Sequence, residues 1–197
     1  KALPTRDAFL PILGVLFAAA AKGVSLSRLF GELPARFSRA ALIRNIPRPV
    51  SLRLVDAFSP QDPRIKEVRF DAGQAAAQDQ DGKPLASTAA ELSRLSAIRG
   101  ELARFFSPAL GFGGVRCINY IDGVRVGFSN GDIAHFRPSG NADELRIYAV
   151  ADTPERAETI AQVGVAEPDG ILRRLATAAD RKLPGFEARR ESGDRSG

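Results

Sequence analysis

Residues 130 to 148 read Asn-Gly-Asp-Ile-Ala-His-Phe-Arg-Pro-Ser-Gly-Asn-Ala-Asp-Glu-Leu-Arg-Ile-Tyr, and their turn and strand signals decide the fold. Asn130-Gly131 suits a type I′ hairpin turn, because both central residues accept positive φ at little cost. Residues 132–137 should leave that turn as a strand. Pro138 has no N–H to give a ladder, so the strand should stop there. Gly140 then allows the backbone to curl until successive N–H groups converge as an anion-binding nest. Arg137 offers a planar fork matched to phosphate oxygens, Ser139 a hydroxyl and Asn141 an amide, while Arg146 on the returning strand brings a second guanidinium. This donor set favours a phosphate monoester.

Working outward, Asp122-Gly123 marks a second hairpin, and strands are predicted at about 115–121, 124–128, 132–137 and 144–151. Consecutive hairpins imply an antiparallel meander that buries one face. Strand 144–151 alternates Leu145, Ile147 and Ala149 against Glu144, Arg146 and Tyr148, so Arg146 points away from the apolar side. Helical spacing supplies the cover. Leu92, Leu95, Ile98 and Leu102 recur after Thr88; Ala157, Ile160 and Ala161 follow Thr153-Pro154; Ile171, Leu172 and Leu175 follow Pro168. Val50, Leu54, Val55 and Phe58 suit a short helix after Pro47 or Pro49. The expected class is therefore α+β, a four-stranded antiparallel sheet with helices on one face, preceded by a helical segment.

That segment begins with the apolar run 8–21, which is too short for a membrane span of about 20 residues. Lys1 and Arg6 ahead of it leave a signal peptide open. A buried helix fits better, with Thr5 or Asp7 as cap, Gly23 as terminator and Ser25 opening a second helix to about Leu33. Pro34 marks a boundary. Within 59–87, Arg64 to Phe70 alternates enough for a short strand, whereas Ala72 to Pro84 reads as a mobile insertion. From about Asp180 to 197 the core pattern is gone and a frayed tail is expected.

Arg137-Pro138-Ser139-Gly140-Asn141, followed by Glu144-Leu145-Arg146-Ile147-Tyr148, resembles the phosphate-binding loop of the C-terminal domain of the α-D-phosphohexomutases, most closely the bacterial phosphomannomutases. The two preceding hairpins stand as they do in that family. Residues 3–8 and 24–27 resemble the end of its third, sugar-binding domain, and 33–37 its passage into domain four. The resemblance implies a division into 1–33 as the remnant of domain three, 34–179 as the phosphate-binding domain four with its insertion, and 180–197 as the tail. It implies an enzyme that moves a phosphoryl group between the C1 and C6 oxygens of a hexose, such as mannose or glucose, through a bisphosphorylated sugar. In that scheme Arg137, Ser139, Gly140, Asn141 and Arg146 hold the phosphate that is not transferred. The phosphoserine donor, the Asp-rich loop for Mg²⁺ and the Gly-Glu-x-Ser-Gly-His sugar loop of the family are not found among these 197 residues. The expectation is thus a fragment without catalytic residues, inactive alone, binding no metal itself and partnered by the missing N-terminal domains. The chain starts at Lys1 and contains no Met, which fits that expectation. One position departs from the pattern: the family more often has Pro at Asp143, and a carboxylate beside a phosphate weakens binding unless it turns outward.

The net charge of +5 permits an anionic partner, yet Lys and Arg are scattered among Asp and Glu. Neither nucleic acid nor membrane is expected as partner, and two rivals are kept: a stand-alone phospho-ligand-binding module and, behind it, a nucleic-acid-binding domain. Cys117 is the single cysteine, so no internal disulfide forms, no zinc cluster exists, and the cytosol is the natural compartment. His135, the only histidine, shares a strand face with Ile133 and Arg137. It has no partner carboxylate identifiable from spacing, so a structural or solvent-facing role is expected.

Overall fold

A computed structural model of the chain describes residues 8–71 and 74–182. Two compact units divide after Ala35, Lys1–Ala35 and Arg36–Gly197. The first consists of helices α1 (Phe9–Lys22) and α2 (Leu26–Gly31). Gly23 closes α1 at φ 63°, with its own N–H on Ala20 and that of Val24 on Ala19, a Schellman ending; the Ser25 hydroxyl caps α2 by accepting from Arg28 N–H. Thr5 and Asp7 lie outside the described residues. The expected burial of α1 is not found within its unit. Phe9 is 62% and Phe17 68% exposed, because an all-apolar helix needs cover on every side and α2 has only 6 residues to offer.

The second unit is α+β. Strands β1 (Phe37–Arg44), β2 (Glu67–Asp71), β3 (Gln74–Gln78), β4 (Pro84–Leu85), β5 (Val115–Asn119), β6 (Val124–Phe128), β7 (Ile133–Pro138) and β8 (Glu144–Ala151) form one antiparallel sheet. Its order is β1-β8-β7-β6-β5-β2-β3-β4. The expected meander forms its centre, but the sheet has eight strands rather than four. Phe37–Arg44 pairs along all of β8 although most of its residues are exposed, so it carries no buried alternation to read. Gln74–Gln78 is built of Ala and Gln, poor strand formers, and becomes a strand because β2 supplies a partner for it. Of the 72–84 stretch, the described residues 74–84 are largely a hairpin arm rather than an irregular insertion.

Helices α3 (Arg48–Ala57), α4 (Ala89–Phe105), α5 (Pro154–Val165) and α6 (Ile171–Lys182) complete the core. Thr88 and Thr153 cap α4 and α5 through their hydroxyls. Phe58, Phe106, Phe112, Phe128 and Phe136 meet edge-on or tilted, and Phe106 stacks on Phe136, between helices and sheet, with Leu145, Ile147 and Ala149 fully buried beside them. Two expected ends move. The turn before α6 is closed by Gly170 N–H on Ala166 O at 2.7 Å, so the helix begins at Ile171 and not at Pro168. It continues past Asp180, whose carboxylate takes Arg53 Nη2 at 2.8 Å, and the rest of the expected tail lies outside the described residues.

The turn ahead of β7 also differs from expectation. Phe128 O accepts from Gly131 N, Phe128 N donates to Asp132 O, and only Gly131 has positive φ, at 87°. This is a three-residue loop with a left-handed glycine, not a type I′ turn. Asn130 prefers a side-chain role, donating from Nδ2 to Asp132 Oδ2 at 2.9 Å. Asp132, almost fully buried, also takes Arg156 Nε at 2.8 Å; that guanidinium reaches Leu110 O and lies over Phe112. The network fixes where β7 starts.

Candidate functional site

Strands β7 and β8 leave Arg137 and Arg146 directly opposite one another, on the face turned away from the phenylalanine core. Like charges in such a cross-strand pair repel, so the pairing weakens the sheet unless negative charge joins it. Carboxylates do so here. Arg137 Nη1 donates to Asp122 Oδ2 at 2.6 Å, and Arg146 Nη2 to Glu144 Oε2 at 3.0 Å. Glu144 is therefore the partner of Arg146, while Asp132 pairs with Arg156. The Arg146 Nε is buried and has no acceptor among the described residues.

Asp122 comes from the β5–β6 hairpin, which folds closely over β7. Gly123, at φ 92°, permits this: a Cβ there would stand 2.5 Å from Phe136 O and 2.6 Å from Arg137 Cβ. The Asp122 carbonyl meets His135 Nε2, and the imidazole ring lies 5.8 Å from that of Tyr148. Burial pushes the His135 pKa down, against the opposing influence of Asp122, so the ring is a neutral prop for the hairpin. Tyr148 completes the face. Its hydroxyl accepts from Arg137 Nη2 at 3.3 Å, and the Arg137 guanidinium lies 5.3 Å from its ring centre. The Arg137 hydrogen bond, followed by that of Arg146, lowers the phenol pKa.

The bend between the arginines runs from Ser139 to Asp143. Ser139 N donates to Glu144 O at 3.0 Å and Glu144 N to Ala142 O at 2.8 Å, which closes it. Gly140 does not have positive φ, so the alternating backbone of a nest is not formed. Even so, the amides of Gly140, Asn141 and Ala142 donate to no acceptor among the described residues, and the space beside Gly140 is open. Ser139 is buried, its hydroxyl 3.5 Å from Asn141 Oδ1. Asp143 turns away: its Oδ1 accepts from Arg48 N at 3.0 Å, the first residue of α3, where a carboxylate is favoured by the helix dipole. All five expected residues thus lie at one end of the β7–β8 pair. Asp122, His135 and Tyr148 were not among them.

No protein-family profile matches the chain. Among characterised proteins it is 32% identical over 165 residues to a phosphomannomutase of Sinorhizobium fredii (strain NBRC 101917 / NGR234), covering 84% of this chain and 26% of that one. The chain is related to the phosphomannomutases. A second, from Salmonella muenchen, is 29% identical over 163 residues, covering 82% of this chain and 25% of that one. The chain spans about a quarter of the length of both relatives. The Mg²⁺ that the resemblance implies finds no fit among the described residues. No group of three His, Cys, Asp or Glu gathers among the described residues, and the donors at the bend are cations, amides and hydroxyls, the wrong set for a hard cation. No described helix is long and apolar enough to cross a membrane.

Proposed function

We propose that the β7–β8 bend holds the non-transferred phosphate of a hexose phosphate, as part of a phosphomannomutase-like enzyme that interconverts mannose 6-phosphate and mannose 1-phosphate. The observation that carries this reading is the opposed pair Arg137 and Arg146 beside three consecutive amides without acceptors. Guanidinium forks and backbone N–H groups are the two donor types that suit a phosphate dianion. In this role Arg137 and Arg146 supply charge, Ser139 and Asn141 hydrogen bonds, and Gly140 room for a close approach. Such binding contributes by positioning: it holds the sugar so that its far hydroxyl meets a phosphoryl donor, and the energy gained at the remote phosphate is used at the reacting end.

Bond making is assigned to residues outside this chain, and so is Mg²⁺, whose chemistry when bound is to neutralise charge on the phosphoryl group in transit. Asp143, held at the start of α3, leaves the anion site without a repelling carboxylate from that side. Titration of the chain with mannose 6-phosphate by isothermal calorimetry tests the proposal. Saturable binding weakened at least tenfold by Arg137→Ala supports it, since a hydrogen bond to a charged group is worth about 1.5–3 kcal/mol. Equal affinity of the variant and the parent chain would remove the assignment.

A further inference from the structure

We propose that Tyr148 is a further contact of this anion site, its hydroxyl donating to a phosphate oxygen while it accepts from Arg137. The inference rests on the phosphate reading above and adds a residue to it. Tyr148 stands two residues beyond Arg146 on β8 and opposite His135 on β7, so its phenol shares the open face with both arginines. Its partner on the other side is Ala40 of β1, which contributes no charge. A phenol has one proton to give and lone pairs to receive. The Arg137 Nη2–H fills the accepting role at 3.3 Å, and no acceptor for the phenol proton occurs among the described residues. The ring is held by the Arg137 guanidinium at 5.3 Å and by the His135 imidazole at 5.8 Å. An oriented donor is thereby kept at the point where two cations converge, which is where the oxygen of a dianion would settle.

The sequence provides an internal reporter, because the chain has two tyrosines. The Arg137 hydrogen bond lowers the Tyr148 pKa, while burial raises that of Tyr120, so the first tyrosinate step in an alkaline titration belongs to Tyr148. Bound phosphate places negative charge beside the phenol and accepts its proton in a hydrogen bond, both of which favour the neutral form and move that step upward. The charged or titratable groups facing Tyr148 are Arg137 and Arg146, which remain protonated, and His135, which is already neutral there; Asp122 and Glu144 sit on the two arginines.

The test uses the full chain with inorganic phosphate and mannose 6-phosphate as probes. Calorimetric affinity is compared for the parent and Tyr148→Phe, which keeps the ring and its cation contact, and tyrosinate absorbance is followed with and without anion. The expected result is about tenfold weaker binding by Tyr148→Phe and an upward shift of the first tyrosinate step of the parent on adding anion. If the parent binds, but the variant binds equally or the tyrosinate step stays in place, Tyr148 is no contact and the phosphate reading stands. If the parent binds neither probe, both fall. The absorbance arm needs no variant, so poor folding of Tyr148→Phe does not protect the idea.

Discussion

Asp122 competes with any anion for Arg137, so Asp122→Asn should tighten phosphate binding. The carboxylate holds Nη1 at 2.6 Å, with the arginine side chain 34% and the aspartate 63% exposed. An exposed pair of this kind is worth about 0.2–1 kcal/mol, and that amount no longer has to be given up when phosphate arrives. Repulsion also vanishes. A unit charge and a dianion roughly 6 Å apart in water repel by about 1.4 kcal/mol, or about 0.8 kcal/mol at 0.1 M salt. Together these predict about a 5- to 20-fold gain in affinity, one decade being about 1.4 kcal/mol. The main-chain contact of residue 122 with His135 is untouched by the change, so the hairpin keeps its place. Isothermal calorimetry of parent and variant with inorganic phosphate at two salt concentrations reads the effect, and the gain should shrink as salt rises. Weaker binding in the variant would show that Asp122 helps the anion rather than opposing it.

Gly123→Ala should destabilise the chain by about 2–3 kcal/mol in urea denaturation, because its φ of 92° and the 2.5 Å approach to Phe136 O leave no room for a methyl group. Asp132→Ala strands Arg156 and the Asn130 amide in a mostly buried site and should cost about 2–4 kcal/mol; a change below 0.5 kcal/mol would contradict the role given to that network. His135 adds a pH dependence. Burial lowers its folded pKa below the ordinary 6.5, so the unfolded chain takes the proton first. Stability should be fully present above about pH 6.5 and fall as pH drops through the folded value, a slope that His135→Phe removes in denaturation curves between pH 5 and 7.

The centre of the sheet was legible because each of its strands has a local signature. Leu145, Ile147 and Ala149 alternate with Glu144, Arg146 and Tyr148, and the structure buries the first set and leaves the second on the open face. The caps Ser25 and Thr153 were legible for the same reason, since a cap depends on residues three apart. The edges were not. Phe37–Arg44 becomes a strand through β8, more than a hundred residues away in order, and Gln74–Gln78 through its neighbour β2; neither carries the pattern inside itself. At the site, the motif already groups Arg137, Ser139, Gly140, Asn141 and Arg146 along the sequence. Asp122 escaped because it arrives from a different hairpin, although Gly123 marked the place where that hairpin could come close. Tyr148 was recognised as outward-facing, and its meeting with Arg137 depends on the β7–β8 register, which spacing along one strand does not contain.

The most direct test of the anion site follows individual backbone amides by ¹H–¹⁵N NMR while inorganic phosphate is added to the chain. Saturable shifts at Gly140, Asn141 and Ala142, abolished in Arg137→Ala, are the predicted result. Amides at the bend that stay still while shifts gather on another part of the surface would contradict it.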